Sequence, residues 1–165
     1  MRPTADRVRE SLFARLGDLT DAGVLDLYAG SGALGIEALS RGAEAVVFVE
    51  RASACLEVLR RNLADLDLVG RSRVVKGDAL RGVRRLGAQG ARFDLVLADP
   101  PYDAPADDLL EALVGAGILL PGATLVIERR RGHAVAPVDG LALLEHRAYG
   151  DTVLTSLTAV TGSGG

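Results

Sequence analysis

The sequence predicts an α/β fold, a three-layer sandwich around a mostly parallel, seven-stranded sheet with one antiparallel strand. Three observations predict it. Apolar strand-like runs alternate with helical segments, the first run leads into a glycine turn, and the last two runs flank a hairpin-type turn at Gly150-Asp151. Strand–helix alternation indicates parallel pairing, and the terminal hairpin adds one strand of opposite direction near an edge. The 165 residues suit a single domain, predicted over 1–160, with a flexible tail at 161–165.

The predicted elements follow from hydrophobic periodicity and from glycine or proline breaks. The strands are predicted at 24–28, 45–50, 73–76, 93–98, 123–128, 141–149 and 152–160, and the helices at 4–17, 33–40, 53–68, 79–86 and 107–115. Thr4 is predicted to be the N-cap of the first helix. In the third helix, Leu56, Leu59, Leu63 and Leu66 are predicted to share one buried face.

One stretch near the N-terminus combines a buried strand, a glycine turn and a helix start, which together form a ligand cradle. Glycines permit positive φ and close approach of a ligand, and the free N–H groups of a helix start favour polar or anionic ligand groups. A carboxylate in a buried strand needs hydrogen bonds, so Asp26 is expected to bond either the turn amides or a ligand. The candidate ligand-binding residues here are Asp26, Tyr28, Ala29, Gly30, Ser31, Gly32 and Gly35.

The same glycines fit the G-x-G-x-x-G pattern of dinucleotide-binding folds, and Glu50 ends the next predicted strand. An acid in that position binds a pair of ribose hydroxyls. An NAD or FAD site is therefore one interpretation, a different nucleotide ligand is a second, and a tight turn without a ligand is a third. The choice depends on the rest of the chain.

A second constellation, Asp99-Pro100-Pro101-Tyr102, follows the fourth predicted strand at the same carboxyl edge of the sheet. The prolines fix their own φ and restrict the residue before each, so the turn is stiff. The Asp99 carboxylate and the Pro100 carbonyl are then two fixed acceptors beside the ring of Tyr102. A planar group with an amino substituent fits, because its N–H hydrogens meet these oxygens and its ring stacks on the tyrosine. The alternative is a proline-stiffened loop with Asp99 as a cap.

Other polar residues are less informative. Asp78 comes directly after the third strand, where it either accepts from a purine amino group or caps the helix that starts at Ala79, and both can hold at once. The single cysteine, Cys55, excludes an internal disulfide and a cysteine-rich zinc site, and it is expected to pack in a helix. His133 and His146 have no acid at metal-ligand spacing, so surface or structural roles are expected and no metal is predicted.

Composition excludes several classes of protein. Hydrophobic residues make up 48%, which is too much for disorder, yet no apolar run approaches the ~20 residues that span a bilayer. The N-terminus lacks the apolar core of a signal peptide, so a soluble, cytoplasmic protein without a membrane partner is expected. The net charge of −3 is not that of an autonomous nucleic-acid binder. Arginine clusters, such as 129–131, are interpreted mainly as solvated faces, with a local basic patch as the alternative.

Three motifs in this order resemble a known family. Residues 26–32 (Asp-Leu-Tyr-Ala-Gly-Ser-Gly) and 99–102 (Asp-Pro-Pro-Tyr) resemble class I, S-adenosylmethionine-dependent amino-methyltransferases. The opening residues 2–13 and the extended stretch 25–43 are similar to the opening motif and the cofactor motif of the RsmD-type family. The resemblance covers nearly the whole chain. Family members carry a short basic β-hairpin segment, thought to help hold RNA, before the Arg-Pro-Thr motif at which this sequence begins.

The resemblance implies a Rossmann-like class I methyltransferase fold and methylation of the exocyclic N2 of a guanine in bacterial small-subunit (16S) ribosomal RNA. It implies S-adenosyl-L-methionine as cofactor, with S-adenosyl-L-homocysteine as product. The expected partner is 16S rRNA within a small-subunit ribosomal particle, bound by a monomer. The expected catalytic residues are Asp99, Pro100, Pro101 and Tyr102. The cofactor-binding residues would be those of the glycine stretch together with Thr4, Glu50, Arg51, Asp78, Ala79 and Asp99.

Each cofactor-binding residue has an expected role. Glu50 would hold the ribose hydroxyls, and residues 29–32 would lie against the methionine part. Asp26 would face the methionine amino group or the turn amides. Arg51 would flank the adenine, while Asp78 and Ala79 would contact its edge. By resemblance, Thr4 and the first helix would lie over the methionine end.

Three alternatives stay open. An NAD-dependent oxidoreductase explains the glycine motif and Glu50 but leaves the motif at 99–102 unexplained. A methyltransferase for adenine N6 or a glutamine side chain is the second, because asparagine often replaces the first aspartate of the Pro-Pro motif in those families, so Asp99 favours guanine only moderately. A catalytically silent RNA-binding or assembly factor is the third, and the acidic balance argues against it.

Overall fold

The structure is a computed structural model that describes residues 3–133 and 135–160, without the side chains of residues 3 and 4. The helices are α1 (Pro3–Leu16), α2 (Ala33–Ser40), α3 (Ser53–Asp65), α4 (Ala79–Ala88) and α5 (Ala106–Gly115). The strands are β1 (Gly23–Leu27), β2 (Ala45–Glu50), β3 (Ser72–Lys76), β4 (Phe93–Ala98), β5 (Leu119–Arg130), β6 (Leu141–Tyr149) and β7 (Thr152–Ala159).

The seven strands form one sheet in the order β3-β2-β1-β4-β5-β7-β6. Strands β1 to β5 pair in parallel, whereas β7 lies antiparallel to both β5 and β6. This confirms the predicted mostly parallel, seven-stranded sheet with one antiparallel strand near an edge. The chain runs outward from β1 to β3 and then returns to start β4 on the other side of β1. The carboxyl ends of β1 and β4 therefore form the topological switch point at which open α/β sheets bind ligands.

The helices cover both faces of the sheet, so the core has two halves. Between the sheet and the layer of α1, α2 and α3, the buried side chains include Phe13, Leu39, Phe48, Leu59 and Leu63. Between the sheet and the layer of α4 and α5, they include Val83, Leu86, Leu109, Leu110 and Leu113. Three layers follow directly from these two apolar interfaces.

Most predicted boundaries agree with the structure within two residues, and two differ by more. Helix α3 ends at Asp65, not at residue 68, because Asp67 adopts a left-handed conformation with φ 57°. Leu66, which was predicted to be buried, is consequently 56% exposed. Strand β5 begins at Leu119, four residues before the predicted start at 123. Its register against β4 shifts there, which accommodates proline and glycine as an irregularity of the pairing.

The first helix occupies residues 3–16, where 4–17 was predicted. Thr4 therefore lies inside the first turn and does not precede it, so the N-cap prediction is wrong. Proline is well suited to a first helical position because its missing N–H has no intrahelical partner there. The Thr4 side chain, Arg2 and the predicted tail at 161–165 lie outside the described residues. No helix in the described part of the chain is long and apolar enough to cross a membrane.

Candidate active site

Four acidic residues follow one another across the carboxyl edge of the sheet. In strand order they are Glu50 on β2, Asp26 on β1, Asp99 just after β4, and Glu128 on β5. Ala98 pairs with both Leu27 of β1 and Ile127 of β5, so Asp99 and Glu128 stand side by side on neighbouring strands.

All four acids also belong to the same face of the sheet. Side chains alternate between faces along a strand, so each acid shares its face with the residue two positions before it. Those preceding residues, Phe48, Val24, Leu97 and Val126, are all buried in the core half under α1, α2 and α3. The row of acids therefore faces that helical layer, at the edge where the loops after the strands begin.

The glycine stretch has the backbone of a tight cradle. Tyr28, Gly30 and Gly32 all have positive φ, at 57°, 59° and 87°. A left-handed conformation at a tyrosine is uncommon, and such strained residues cluster at ligand-binding sites. Gly32 precedes α2 without any side-chain cap, and no hydrogen bond within the described residues uses the N–H groups of Ala33 and Leu34, so these two are left for another acceptor.

Gly35 lets α2 lie directly against the sheet. A Cβ at this position would lie 2.3 Å from Cε1 of the fully buried Phe48 and 2.9 Å from Cγ1 of Val46. The close approach brings the Gly35 N–H within 3.0 Å of Oδ2 of Asp26. Of the two partners predicted for Asp26, the structure therefore provides a backbone amide of the cradle.

Asp26 is held in its neutral form by its surroundings. It is 2% exposed, and burial raises the pKa of this carboxyl to about 8, while the Gly35 amide bond opposes the shift and the charges of Asp99 and Glu50 add to it. Leu27 pairs with Ala98, so the acid that follows β4 lies beside the end of β1, in agreement with its effect on the pKa of Asp26. The two predicted constellations thus form one site.

Glu50 organises the cradle through its carboxylate. Oε1 accepts from the Gly30 N–H at 2.8 Å, and Oε2 accepts from the N–H groups of Arg51 and Ala52, each at 2.8 Å. A carboxylate offers about four lone-pair positions. Three are used by the backbone, which leaves one acceptor for a ligand hydroxyl.

Asp78 and its neighbours lie at the end of β3. Asp78 is the N-cap of α4, since its Oδ2 accepts from the Arg81 N–H at 3.2 Å. One of the two interpretations of Asp78 is therefore observed, and contact with a purine stays a prediction. Ala79 is buried at the start of α4, and Arg51 is exposed beside Glu50.

The Asp-Pro-Pro-Tyr loop is held by residues from β5 and beyond. Tyr102 is 62% exposed; the Arg130 guanidinium lies 5.0 Å from its ring centroid, and the His133 ring meets it edge-on at 5.4 Å. Arg129 donates from Nη1 to the carbonyls of Ala104, at 3.1 Å, and Pro101, at 3.4 Å. The ring and the loop are thereby positioned from outside the motif.

Two cavities open at this loop. The first, of about 240 Å³ and here called the loop-side cavity, is lined by Asp99, Pro100, Tyr102, Glu128, Arg129, Arg130, His133 and Thr152. The second, of about 200 Å³ and here called the helix-side cavity, is lined by Ala5, Val8, Arg9, Leu12, Ala33, Leu34, Leu97, Ala98, Asp99, Val126, Glu128 and Leu154. Of the residues that the structure describes, only Asp99 and Glu128 line both, so these carboxyl groups form the partition between them. Glu50 and Asp78 line neither of the two.

The two partition carboxyl groups lie side by side on adjacent strands, within reach of a hydrogen bond when one of them is protonated. Burial, then the charge of Asp99 and the bond to it, raise the pKa of Glu128 to about 7. Burial also raises the pKa of Asp99, against the effect of the bond from Glu128. Two carboxylates on adjacent strands repel each other, so a proton held between them relieves the repulsion.

Sequence reasoning missed four residues of this site: Glu128, Arg129, Arg130 and His133. The arginines were interpreted mainly as a solvated face, and His133 as surface or structural. Glu128 offered a usable signal, because it ends an apolar run at the same edge as Glu50 and Asp99. Within the described residues, no cluster of three or more His, Cys, Asp or Glu side chains is arranged to hold a metal ion.

Known proteins that are similar to this chain include methyltransferases of ribosomal RNA. The family model described as "Conserved hypothetical protein 95" matches residues 1–158. The ribosomal RNA small subunit methyltransferase D of Haemophilus influenzae is 31% identical over 152 residues, which cover 91% of this chain and 79% of that protein. The protein of the same name from Escherichia coli is 45% identical over 103 residues, which cover 62% of this chain and 50% of that protein.

A solved structure agrees along nearly the whole chain. A conserved hypothetical protein of Streptococcus pyogenes superimposes with a TM-score of 0.85 at 30% identity, and the match covers 92% of this chain and 94% of that one. The family match spans both the cradle and the loop at 99–102, which the NAD-dependent alternative left unexplained. The chain therefore belongs to the family of conserved hypothetical protein 95, the RsmD-type methyltransferases.

Proposed function

We propose that the protein transfers a methyl group from S-adenosyl-L-methionine to the exocyclic N2 amino group of a guanine in 16S ribosomal RNA. The observation that carries this proposal is the position of Asp99. Its carboxyl lies one strand away from the glycine cradle and lines a cavity with Pro100 and the exposed ring of Tyr102. Methyltransferases of ribosomal RNA among the relatives support the same reaction class.

The cradle fits the cofactor. The free acceptor position of Glu50 suits a ribose hydroxyl, and the uncapped N-terminus of α2 suits the methionine carboxylate. Arg9 lines the helix-side cavity and adds a positive charge near that end, although Asp6 and Glu37 share it. Arg51, Asp78 and Ala79 would contact the adenine, and Thr4 would lie over the methionine end. Bound in this way, the cofactor supplies an electrophilic methyl group on a positively charged sulfur.

The acceptor base would be held by two oxygens and a ring. The amino hydrogens of guanine donate to the Asp99 carboxylate and to the Pro100 carbonyl, while Tyr102 stacks on the base. These bonds favour an amine whose lone pair points at the methyl group. Alignment of the reacting atoms is the larger contribution, since proximity and orientation can supply much of ~7–11 kcal/mol. Asp99 is placed to accept the proton that the amine loses.

The rim of the loop-side cavity suits an RNA strand. Reaching the cavity requires the base to leave its stack, which costs a few kcal/mol, and stacking on Tyr102 returns ~1–3 kcal/mol. Arg130 and His133 flank this ring at the mouth, where they would meet the phosphates beside the base. A small-subunit ribosomal particle would supply the remaining contacts, because the whole chain carries a net charge of −3.

The test uses small-subunit particles from cells that lack this enzyme, incubated with protein and methyl-labelled cofactor. The rRNA is digested to nucleosides and separated against N2-methylguanosine and N6-methyladenosine standards. Label in N2-methylguanosine is the expected result. Label in N6-methyladenosine, or in ribosomal protein, would replace guanine with adenine or glutamine as the acceptor. No label in any fraction would overturn the proposed function.

Two variants locate the chemistry in the same assay. Asp99→Ala should lower turnover by about 100-fold or more, because it removes the acceptor of the amine hydrogens and of the proton. Binding of S-adenosylhomocysteine, measured by calorimetry, should stay near that of the unmodified protein. Asp139→Ala is the matched control, since this exposed aspartate lies in the loop before β6. Lost cofactor binding with retained turnover in Asp99→Ala would contradict the role of Asp99.

A further inference from the structure

The carboxyl group of Glu128 has no role in the function described so far, yet it lies at the same place between the two cavities as Asp99. The two residues are neighbours across the β4–β5 pairing and face the same helical layer. They alone, among the described residues lining the two cavities, border both. An acceptor base in the loop-side cavity and a methyl donor on the cradle side would therefore meet at this pair.

No described basic side chain forms an ion pair with Asp99 or Glu128. Arg9 of α1 is engaged with Asp6 and Glu37, and Arg129 is engaged with the carbonyls of the loop.

The other groups around the pair are directed toward Tyr102 or carry no positive charge. Arg130 lies against Tyr102, and His133 meets that ring from the loop after β5. Strand β7 presents Thr152 and Leu154, neither of which carries a charge. On the other side lies Asp26 of β1, whose pKa is raised in part by the negative charge of Asp99.

The pair therefore depends on a proton. Two carboxylates on adjacent strand ends repel each other, and one proton shared between them relieves this repulsion. The ionisation that removes this bridging proton belongs to the pair and lies near neutrality, because burial and the charge of Asp99 raise the pKa of Glu128 to about 7. A base with such a pKa is well matched to proton transfer at physiological pH.

We propose that Glu128 is a positioning residue of the methyl-transfer site that governs the charge of Asp99, and that the fully ionised pair is the active form. The proposal rests on the proposed function. In the step, the N2 lone pair forms the new carbon–nitrogen bond, the sulfur–carbon bond breaks and its electron pair stays on sulfur. The amine then releases one N–H proton to Asp99, and Glu128 shares it before it leaves to solvent through the loop-side cavity. Two negative charges favour the positive charge that develops on the amine.

The pH profile of single-turnover methyl transfer to rRNA tests this directly. The unmodified protein should react about tenfold faster at pH 8 than at pH 6, as expected for one ionisation near pH 7. Glu128→Gln supplies an N–H donor that keeps Asp99 ionised, so its rate should change less than about twofold over that range and stay below the unmodified rate at pH 8. Glu128→Asp should retain the rise, because it retains a titrating carboxyl.

The matched control is Glu111→Gln, which changes an exposed glutamate on α5 and should leave the profile unaltered. Equal binding of S-adenosylhomocysteine to both Gln variants shows that the cradle is intact. If the methyl-transfer rate of Glu128→Gln still rises tenfold from pH 6 to pH 8, the inference about Glu128 is overturned. This holds even when the unmodified protein methylates rRNA fully. If that protein methylates no rRNA, the proposed function fails by itself.

A second measurement tests the shared proton without any turnover. Carboxyl carbons labelled with ¹³C in glutamate alone can be followed by NMR against pH, so that the titration of Asp26 does not overlap. The proposal requires that one carboxyl group titrates near pH 7 in the unmodified protein and in Glu111→Gln. The same titration should be missing in Glu128→Gln. Persistence of that titration in Glu128→Gln would contradict the assignment.

Discussion

Replacing Glu50 by glutamine removes one acceptor from the hydrogen-bond network that shapes the cradle. In the native protein, Oε1 binds the Gly30 N–H and Oε2 binds the N–H groups of Arg51 and Ala52, all at 2.8 Å. The side chain of Glu50→Gln has a single oxygen. The amide can be placed in two ways. In the more favourable one, its oxygen accepts from the N–H groups of Arg51 and Ala52, and its NH₂ group faces the Gly30 N–H, so that two donors meet.

The magnitude follows from burial. Glu50 is buried, and hydrogen bonds to a charged group contribute about 1.5–3 kcal/mol each, while an unsatisfied buried donor costs about 1–3 kcal/mol. A loss of about 2–3 kcal/mol in the free energy of unfolding is therefore expected for Glu50→Gln. In a domain of this size each kcal/mol moves Tm by about 2–4 °C, which gives a decrease of about 4–12 °C.

Thermal denaturation measures this directly, with Glu57→Gln as the control on the exposed face of α3. The control should melt with the unmodified protein. Calorimetry with S-adenosylhomocysteine should give weaker binding for Glu50→Gln, because the same change displaces the remaining acceptor. A Tm of Glu50→Gln within about 1 °C of the unmodified value would refute the role of these three bonds.

Two further predictions concern the packing and the charge of the cradle. Gly35→Ala should lower the free energy of unfolding by about 1–3 kcal/mol, because its Cβ would overlap the ring of Phe48, whereas Gly115→Ala, which meets nothing within 4 Å, should not destabilise. Equal urea midpoints for the two variants would contradict this. For Asp26, the raised pKa means that the folded protein keeps a proton that the unfolded chain releases, so the free energy of unfolding falls as pH rises from about 4 to about 8. This decrease is on the order of 5 kcal/mol at most. In urea titrations at several pH values, the free energy of unfolding of Asp26→Asn should depend less on pH than that of the unmodified protein. An unchanged pH dependence would exclude Asp26 as its source.

The sequence predicted the sheet well where a single local signal decided the structure. Segments such as 45–50 and 93–98 are continuous apolar runs with clear breaks on both sides, and their bounds agree with the structure. Boundaries failed where two signals competed. The strand predicted from 123 begins at Leu119, because proline and glycine at 121 and 122 are carried as an irregularity between the pairs Phe93–Leu119 and Leu95–Thr124.

Most residues of the candidate site could be predicted from the sequence, but the contacts between them could not. The residue types at Asp26, Glu50 and Asp99 pointed to a ligand at the carboxyl edge, because acids at buried strand ends need partners. Which partners they have depends on register and on how closely α2 approaches the sheet. Glu128 illustrates the limit, since its place beside Asp99 follows from the pairing of β4 with β5 and not from any motif.

The most direct test of the account is a crystal structure of the protein with bound S-adenosylhomocysteine. The ribose hydroxyls should lie against Glu50, and the sulfur should lie between the turn at 30–32 and the carboxyl group of Asp99. A ligand seated elsewhere, such as the cavity of about 420 Å³ at the opposite edge beside Asp18 and Asp94, would contradict the account. So would a sulfur that faces away from Asp99.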